Sequence, residues 1–335
     1  MGEIGLSGKL AIEALRRFPA ASKSAIARYL RKTEPDIYLS FEAARAAVQH
    51  HSGARGSNSR RRDDEYHREM TTAADAVRGL RLPKSLPREA KDPIRLEFTS
   101  ALLMSDIHVP YHDMSALELA VRTGLDRSVD TVVLLGDILD FYACSSWEKD
   151  PRKRNLSVEV DRGRAFFAEM RRLFPDAKIY WKLGNHEERW ERYLKMRAPD
   201  LIGLDFTSVE SIYGCTELEI NVVDRMQHIQ LDKLNLVHGH EFGRSIFSPV
   251  NPARGLYMRA KATAICGHNH QTSSHVERSM NGSVVGTYSM GCLCDLRPEY
   301  APYNKWNHGF AIVTHRPGDA LSRVENFKIV NGELL

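Results

Sequence analysis

Apolar positions along the first fifty residues recur three and four apart, the spacing of helices with one buried face. Leu10, Ile12, Leu15 and Phe18 give a first helix its apolar side. In "SKSAIARYLRK", residues 22 to 32, Ile26, Tyr29 and Leu30 share one face of a second, with Ser22 or Ser24 as its N-cap. A third, "SFEAARAAVQHH" at 40 to 51, is capped by Ser40, turns Phe41, Ala44 and Val48 inward and ends at Gly53. The period then dissolves into "SGARGSNSRRRDDEYHREM" and "RLPKSLPREAKDP", whose glycines, charge runs and spaced prolines read as a linker with room for a short helix over 63–79. From residue 96 strands and helices alternate. "ALLMSD", "TVVLLGD" and "AKIYWKLGN" are strands; Met114, Leu117, Ala120 and Val121 mark one helix, Val158 to Phe174 a second, and "EERWERYLKM" a third. Past residue 215 strands dominate, in "LNLVHGH", "ATAICGHNH" and "SSHVERSMNGSVVGTYSM", where Asn281-Gly282 predicts a type I′ hairpin turn. The expected organisation is a helical unit over 1–54, a linker over 55–95 and a two-sheet α/β domain over 96–335, with one α/β half and one more antiparallel half.

Composition leaves this picture in place and narrows the setting. The chain is 42% hydrophobic and 27% charged, as ordinary folded proteins are. No apolar run approaches the roughly 18 residues of a membrane span, and the amphipathic N-terminus has no signal-peptide core. Five cysteines, Cys144, Cys215, Cys266, Cys292 and Cys294, are an odd number in strand-like contexts, which fits buried thiols in a reducing compartment. A cytoplasmic protein without a membrane partner is expected. The charge is uneven. Residues 1–62 hold 12 Lys and Arg against 5 acidic residues, so a chain of net charge +4 carries −3 over the remainder. A basic three-helix unit with short connections resembles a helix-turn-helix DNA-binding unit, and nucleic acid is the expected partner; a small bundle serving assembly is the alternative. Arg60, Arg61 and Arg62 would add phosphate contacts or simply solvate the linker.

Each strand of the α/β domain ends in a polar signature. The first ends with Asp106 and His108, the second with Gly136-Asp137 and then Asp140, the third with Asn185, His186 and Glu187. The later ones end with His238 and with His268 and His270. Alternate residues of a strand point the same way, so Asp106 and His108 could reach one point, and carboxyl ends of strands line the ligand crevice of α/β sheets. Carboxylate oxygens and imidazole nitrogens at one rim suit divalent metals. Glycines before Asp137, Asn185 and His268 would let the backbone close on the site.

These blocks, Asp106-Ile-His108, Gly136-Asp137 with Asp140, Gly184-Asn185-His186-Glu187, His238 and Gly267-His268-Asn269-His270, stand in the order of the calcineurin-like metallophosphoesterase signature, and from about residue 99 onward the chain resembles that family. The resemblance implies a four-layer αββα sandwich. It implies one metal on Asp106, His108 and His270, a second on Asn185, His238 and His268, and Asp137 bridging them. Such a pair clamps attacking and leaving oxygens and makes a bridging water a hydroxide nucleophile. His186 would protonate the leaving group, and Asp140 and Glu187 would orient neighbouring histidines. His240 competes with His238 for the fourth block; His238 is preferred because it ends the apolar strand. The donors admit manganese, the first expectation, and iron, zinc, cobalt, nickel or magnesium. A helical unit on such a domain is similar to proteins of bacteria and their viruses.

Three functions follow. "DILDFYACSS" lacks the arginine and glycine of protein serine/threonine phosphatases after the second aspartate block, which argues against that activity. The basic N-terminal unit favours a nuclease, a phosphodiesterase on nucleic acid; a phosphoesterase on a small molecule such as a nucleotide is the alternative. A DNA-binding regulator with a scaffold metal domain is a third reading. The basic loop Lys149, Arg152, Lys153 and Arg154 could hold a phosphate chain, and Trp147, Trp190, Tyr300, Tyr303 and Trp306 could stack on bases or pack loops.

Overall fold

The computed structural model describes residues 4–53, 90–243, 250–316, 318–319 and 321–335. It divides into two compact units, 1–88 and 89–335. Residues 54–89, which include most of the linker, its expected helix over 63–79 and Arg60 to Arg62, lie outside the described residues.

In the first unit the three expected helices form as α1 (Leu6–Arg17), α2 (Lys23–Thr33) and α3 (Phe41–His51). Ser22 Oγ accepts the amide of Ala25 and Ser40 Oγ that of Ala43, so each serine caps the first turn of its helix. Gly53, at φ +76°, follows α3 in the left-handed conformation that ends helices. Ala11, Ala14, Leu15, Ile26, Ala27, Leu30, Ala44 and Val48 make a separate core, closed by Tyr38 from the α2–α3 connection.

The second unit holds two sheets. In chain order the strands are β1 (Ile94–Leu96), β2 (Ser100–Met104), β3 (Thr131–Leu135), β4 (Lys178–Lys182), β5 (Ile220–Val223), β6 (Ile229–Leu231), β7 (Leu234–Val237), β8 (Ala264–Cys266), β9 (Ser273–Arg278), β10 (Val284–Ser289), β11 (His308–Thr314), β12 (Arg323–Val330) and β13 (Glu333–Leu334). One sheet runs β13-β12-β11-β2-β3-β4-β5 and the other β1-β6-β7-β8-β10-β9. The pleat sorts β2 and β3 between two cores. Leu102, Met104, Val132 and Leu134 face helices α4 (Met114–Asp126) and α5 (Leu156–Leu173) through Leu117, Val121, Phe167 and Met170. Leu103, Val133 and Leu135 face the other sheet, meeting Ile229, Leu231, Leu236 and Ile265. Leu256 of helix α7 (Pro252–Ala260) covers Ala264 and Cys266 on that sheet's outer side. Helix α6 (Glu188–Arg197) follows β4. The result is the αββα layering that the resemblance implied.

Three expectations are corrected. The second sheet is not mainly antiparallel: β1-β6, β7-β8 and β8-β10 pair in parallel, and only β6-β7 and β9-β10 are antiparallel. Ile94 and Arg95, in the tract read as linker, form β1 on its edge. The β9–β10 turn is not type I′. The amide of Gly282 bonds Ser279 O at 2.9 Å and Gly282 alone in the loop takes a positive φ, +84°, so the longer turn pairs its glycine with a bulge.

Candidate metal centre

β2, β3 and β4 run parallel, as do β7 and β8, so the chemistry-bearing loops leave the two sheets by their carboxyl ends. Asp106 and His108 do not owe their placing to the pleat. β2 stops at Met104, and both residues sit at φ +54°. Asp137 at +51°, His268 at +64° and His270 at +54° are likewise left-handed. Asp and His tolerate this conformation better than most side chains, yet each costs on the order of 1 kcal/mol. The loops are pinned across the sheet: Asp106 N donates to Gly136 O at 3.1 Å and His108 N to Asp137 O at 3.0 Å. His268 N donates to Asp106 Oδ2 and His186 N to Asp137 Oδ1, both at 2.8 Å.

Glycine matters by close approach. A Cβ on Gly184 would stand 2.5 Å from Asp137 N, one on Gly267 2.5 Å from Asp106 Oδ2, and one on Gly136 2.6 Å from His238 Cγ. Only Gly136, at φ +85°, also needs glycine's backbone freedom.

The expected ligands converge in two groups. His270 Nε2 lies 3.0 Å from Asp106 Oδ1, an atom with no hydrogen-bond partner, while buried His108 Nε2 also has none. His238 Nε2 lies 3.3 Å from Asp137 Oδ2 and 3.2 Å from Asn185 Oδ1. Donor atoms of Asp137, His238 and His268 fall within 4.8 Å of one another, as do those of His108, Asp137 and His186. Cys294, which the sequence marked only as a buried thiol, joins His108 and His270 in a third such group. His240 turns away, its Nε2 3.1 Å from Glu188 Oε1.

The buried carboxylates and imidazoles shift one another strongly. Burial pushes Asp106 and Asp137 up, but His270 beside the first and His186 and His238 beside the second pull both well below the carboxylate range. Burial pushes His238 and His270 down, yet Asp137 and Asp106 lift each to about 10. His268 is driven down to about 4 by burial and by His238. Buried carboxylates, a buried imidazole nitrogen without a partner and converging oxygen and nitrogen donors together fit divalent metal.

Asp140 orients histidines as expected: His108 Nδ1 lies 3.0 Å and His186 Nδ1 3.1 Å from its Oδ1. Glu187 does not. Its Oε1 accepts the amides of Ile138 and Leu139, and its Oε2 those of Asp137 and Gly184. A buried carboxylate between two loops meets unpaired main-chain donors before it meets an imidazole. Two further residues escaped the sequence reading. Fully buried Lys182 pairs at 3.0 Å with Glu241, which grips the amides of His238 and Gly239. Arg189 donates from Nη1 to Asp140 O at 2.9 Å and from Nη2 to His186 Nε2 at 2.8 Å. The apolar period of β4 ends without hinting at Lys182, and Arg189 looks like any exposed helical charge.

Of the aromatics, Trp190 stacks on Phe141 and Tyr193 and donates to Thr207 O, so it packs a loop. Trp306 lies 4.1 Å, centroid to centroid, from the His270 ring, with Tyr300 beyond it at 6.2 Å. Trp147 and Tyr303 are exposed. In the basic loop, Lys149 bonds Ser145 O, Arg152 pairs with Asp150 and Lys153 with Glu299. All five cysteines are free and buried, and among the described residues no helix is long and apolar enough to cross a membrane.

A family model described as calcineurin-like phosphoesterase matches residues 99–272. The chain is similar to the Gene 54 protein of Mycobacterium phage L5, 24% identical over 228 residues that span 64% of this chain and 88% of that protein. It is similar in the same measure to the Gene 54 protein of Mycobacterium phage D29, 24% identical over 226 residues, again 64% and 88%. Among solved structures it is similar to Vacuolar Protein Sorting 29 from Cryptosporidium parvum, with 13% identity, 71% of this chain and 95% of that chain covered and a TM-score of 0.37. Yfce, a phosphoesterase from E. coli, gives 15% identity, 64% and 87% coverage and a TM-score of 0.31.

Proposed function

Because the chain belongs to the calcineurin-like phosphoesterase family, we propose that it is a metal-dependent phosphodiesterase acting on nucleic acid. Asp106, His108 and His270 would hold one divalent ion and Asn185, His238 and His268 the other, with Asp137 between them; manganese is the first ion to try. When bound, the pair activates water as the nucleophile and neutralises charge on the phosphoryl group. The chain's own residues do the rest. Asp140 fixes the His186 ring through Nδ1, which leaves Nε2, once it has taken up a proton from solvent, as the atom that passes one to the leaving oxygen.

The observation that supports nucleic acid as substrate is a shallow, open depression on the first unit, lined by Ser24, Arg28, Arg31, Lys32, Phe41 and Arg45, with Arg45 also 3.6 Å from Glu42. Four cations around one aromatic ring, with no acid in the lining, suit a sugar-phosphate chain. Against this, Lys149, Arg152 and Lys153 beside the metal centre already have partners within the chain, which favours a small phosphoester. The deciding experiment incubates the full chain and Mn²⁺ with end-labelled single-stranded and duplex DNA and RNA, and in parallel with bis(4-nitrophenyl) phosphate. Cleavage of a nucleic acid that is lost in His186→Ala supports the proposal. Intact nucleic acid with hydrolysis of the small ester moves the assignment to small phosphoesters.

A further inference from the structure

Arg189 lies in the first turn of helix α6, two residues after the Gly184-Asn185-His186-Glu187 block, with only 19% of its side chain exposed. A guanidinium so sheltered usually faces a carboxylate, since an ion pair offsets the loss of water. Here both hydrogen-bond acceptors are neutral. Nη1 donates to the main-chain oxygen of Asp140 at 2.9 Å, and Nη2 to the imidazole Nε2 of His186 at 2.8 Å. The Asp140 carboxylate adds only a long ion pair through Oδ2, 3.7 Å from Nη1, while its Oδ1 is taken up by the Nδ1 atoms of His108 at 3.0 Å and His186 at 3.1 Å. The cation is therefore held close to the site by two neutral acceptors and one long ion pair.

Its direction is equally specific. His186 Nδ1 faces two oxygens that only accept, Asp140 O at 3.0 Å and Oδ1 at 3.1 Å, so the ring proton sits there and the Nε2 lone pair faces the arginine. That same Nε2 lies 3.7 Å from Asp137 Oδ2, the carboxylate at the centre of the ligand set. The guanidinium thus occupies the ground beside His186 on which a phosphoryl group would sit.

We propose that Arg189 is a substrate-binding residue that takes a non-bridging phosphoryl oxygen of the phosphoester. The inference rests on the phosphoesterase reading and holds for a nucleic acid or a small ester alike. Exchange of a neutral imidazole acceptor for an anionic oxygen turns a bond with one charged partner into one with two, and leaves His186 Nε2 open toward the leaving group. The planar fork matters as well as the charge, so lysine is not an equivalent replacement.

The test titrates the Mn²⁺-loaded full chain with inorganic phosphate by calorimetry, for wild type, Arg189→Ala and Arg189→Lys. Metal content per chain and thermal midpoint are measured on the same samples. The expected result is wild-type metal content in both variants, a phosphate Kd weakened about tenfold to a hundredfold in Arg189→Ala, and partial recovery in Arg189→Lys. For bis(4-nitrophenyl) phosphate, KM rises by a larger factor than kcat falls. An unchanged phosphate Kd with a loss confined to kcat overturns the proposal and leaves Arg189 as a brace for His186. Metal loss from both variants also overturns it. A wild type that takes up metal yet neither binds phosphate nor hydrolyses the ester overturns the phosphoesterase reading itself.

Discussion

Both oxygens of Glu187 are taken by main-chain donors, two amides each, joining the turn after β3 to the turn after β4. A glutamine there must point an NH₂ group at two N–H groups, and buried donors left without an acceptor cost about 1–3 kcal/mol. Glu187→Gln should therefore melt roughly 2–12 °C below wild type for a unit of this size. Scanning calorimetry decides, and a midpoint equal to wild type would remove the clamp from the account. Gly184 tests the same region by volume. The Cβ of Gly184→Ala would stand 2.5 Å from Asp137 N, and Asp137 Oδ1 is already held by His186 N at 2.8 Å, so the aspartate must move. The expected outcome is a folded protein, by far-ultraviolet circular dichroism, that retains fewer bound metal ions per chain than wild type. Full metal content in the alanine variant would contradict it. The sequence string Gly184-Asn185-His186-Glu187 announces a site because its residue types are unusual together. What it cannot announce is that Glu187 faces amides from residues some fifty positions earlier, or that Arg189 bends back onto His186.

Helix α5 carries one carboxylate into the interior. Glu159, only 4% exposed, accepts the amides of Tyr142 at 2.8 Å and Ala143 at 2.9 Å, tying the helix to the turn that follows Asp140. Burial pushes its carboxyl up to about 7, with the two amides opposing the rise and the charge of Asp140 adding to it. The folded state thus binds this proton more tightly than the unfolded chain does, whose ordinary value is near 4.5. Its contribution to stability is complete below that value and is lost as pH rises through about 7. In EDTA, the thermal midpoint of wild type should fall between about pH 5 and pH 8 more steeply than that of Glu159→Gln. Parallel slopes would show that another group sets the pH dependence. Elements such as α5, β2 and β3 were legible because period and length are local properties of the chain. The pairing of β8 with β7 and β10, and the strand character of Ile94–Leu96, were not, because hydrogen bonds between strands distant in sequence leave no local mark. The same division holds at the site: donor types were readable at strand ends, whereas the left-handed turns that aim Asp106, His108 and His270 became visible only with the backbone.

At the scale of the chain, positive charge and metal donors are kept in different units. Residues 4–53 carry eight Lys and Arg against four acidic residues, and residues 63–335 are net negative by three. A polyanion attracted by charge alone would meet the first unit before the second. Arg28, Arg31, Lys32 and Arg45 line its depression, and each cation that meets a duplex phosphate releases a counterion, contributing about 0.9 to the slope of log affinity against log salt. Four contacts predict a slope of about −3 to −4 for duplex DNA between 50 and 200 mM salt, measured by fluorescence anisotropy of the full chain in EDTA so that binding is read without cleavage. Arg31→Gln with Arg45→Gln should reduce the slope by about 2 and weaken binding to every sequence by a similar factor. A double variant with the wild-type slope would clear the depression of phosphate contacts even if the chain binds DNA. A wild type that binds neither DNA nor RNA under these conditions, while light scattering finds more than one chain per particle, would make the helical unit an assembly device and leave the metal centre to act on small phosphoesters.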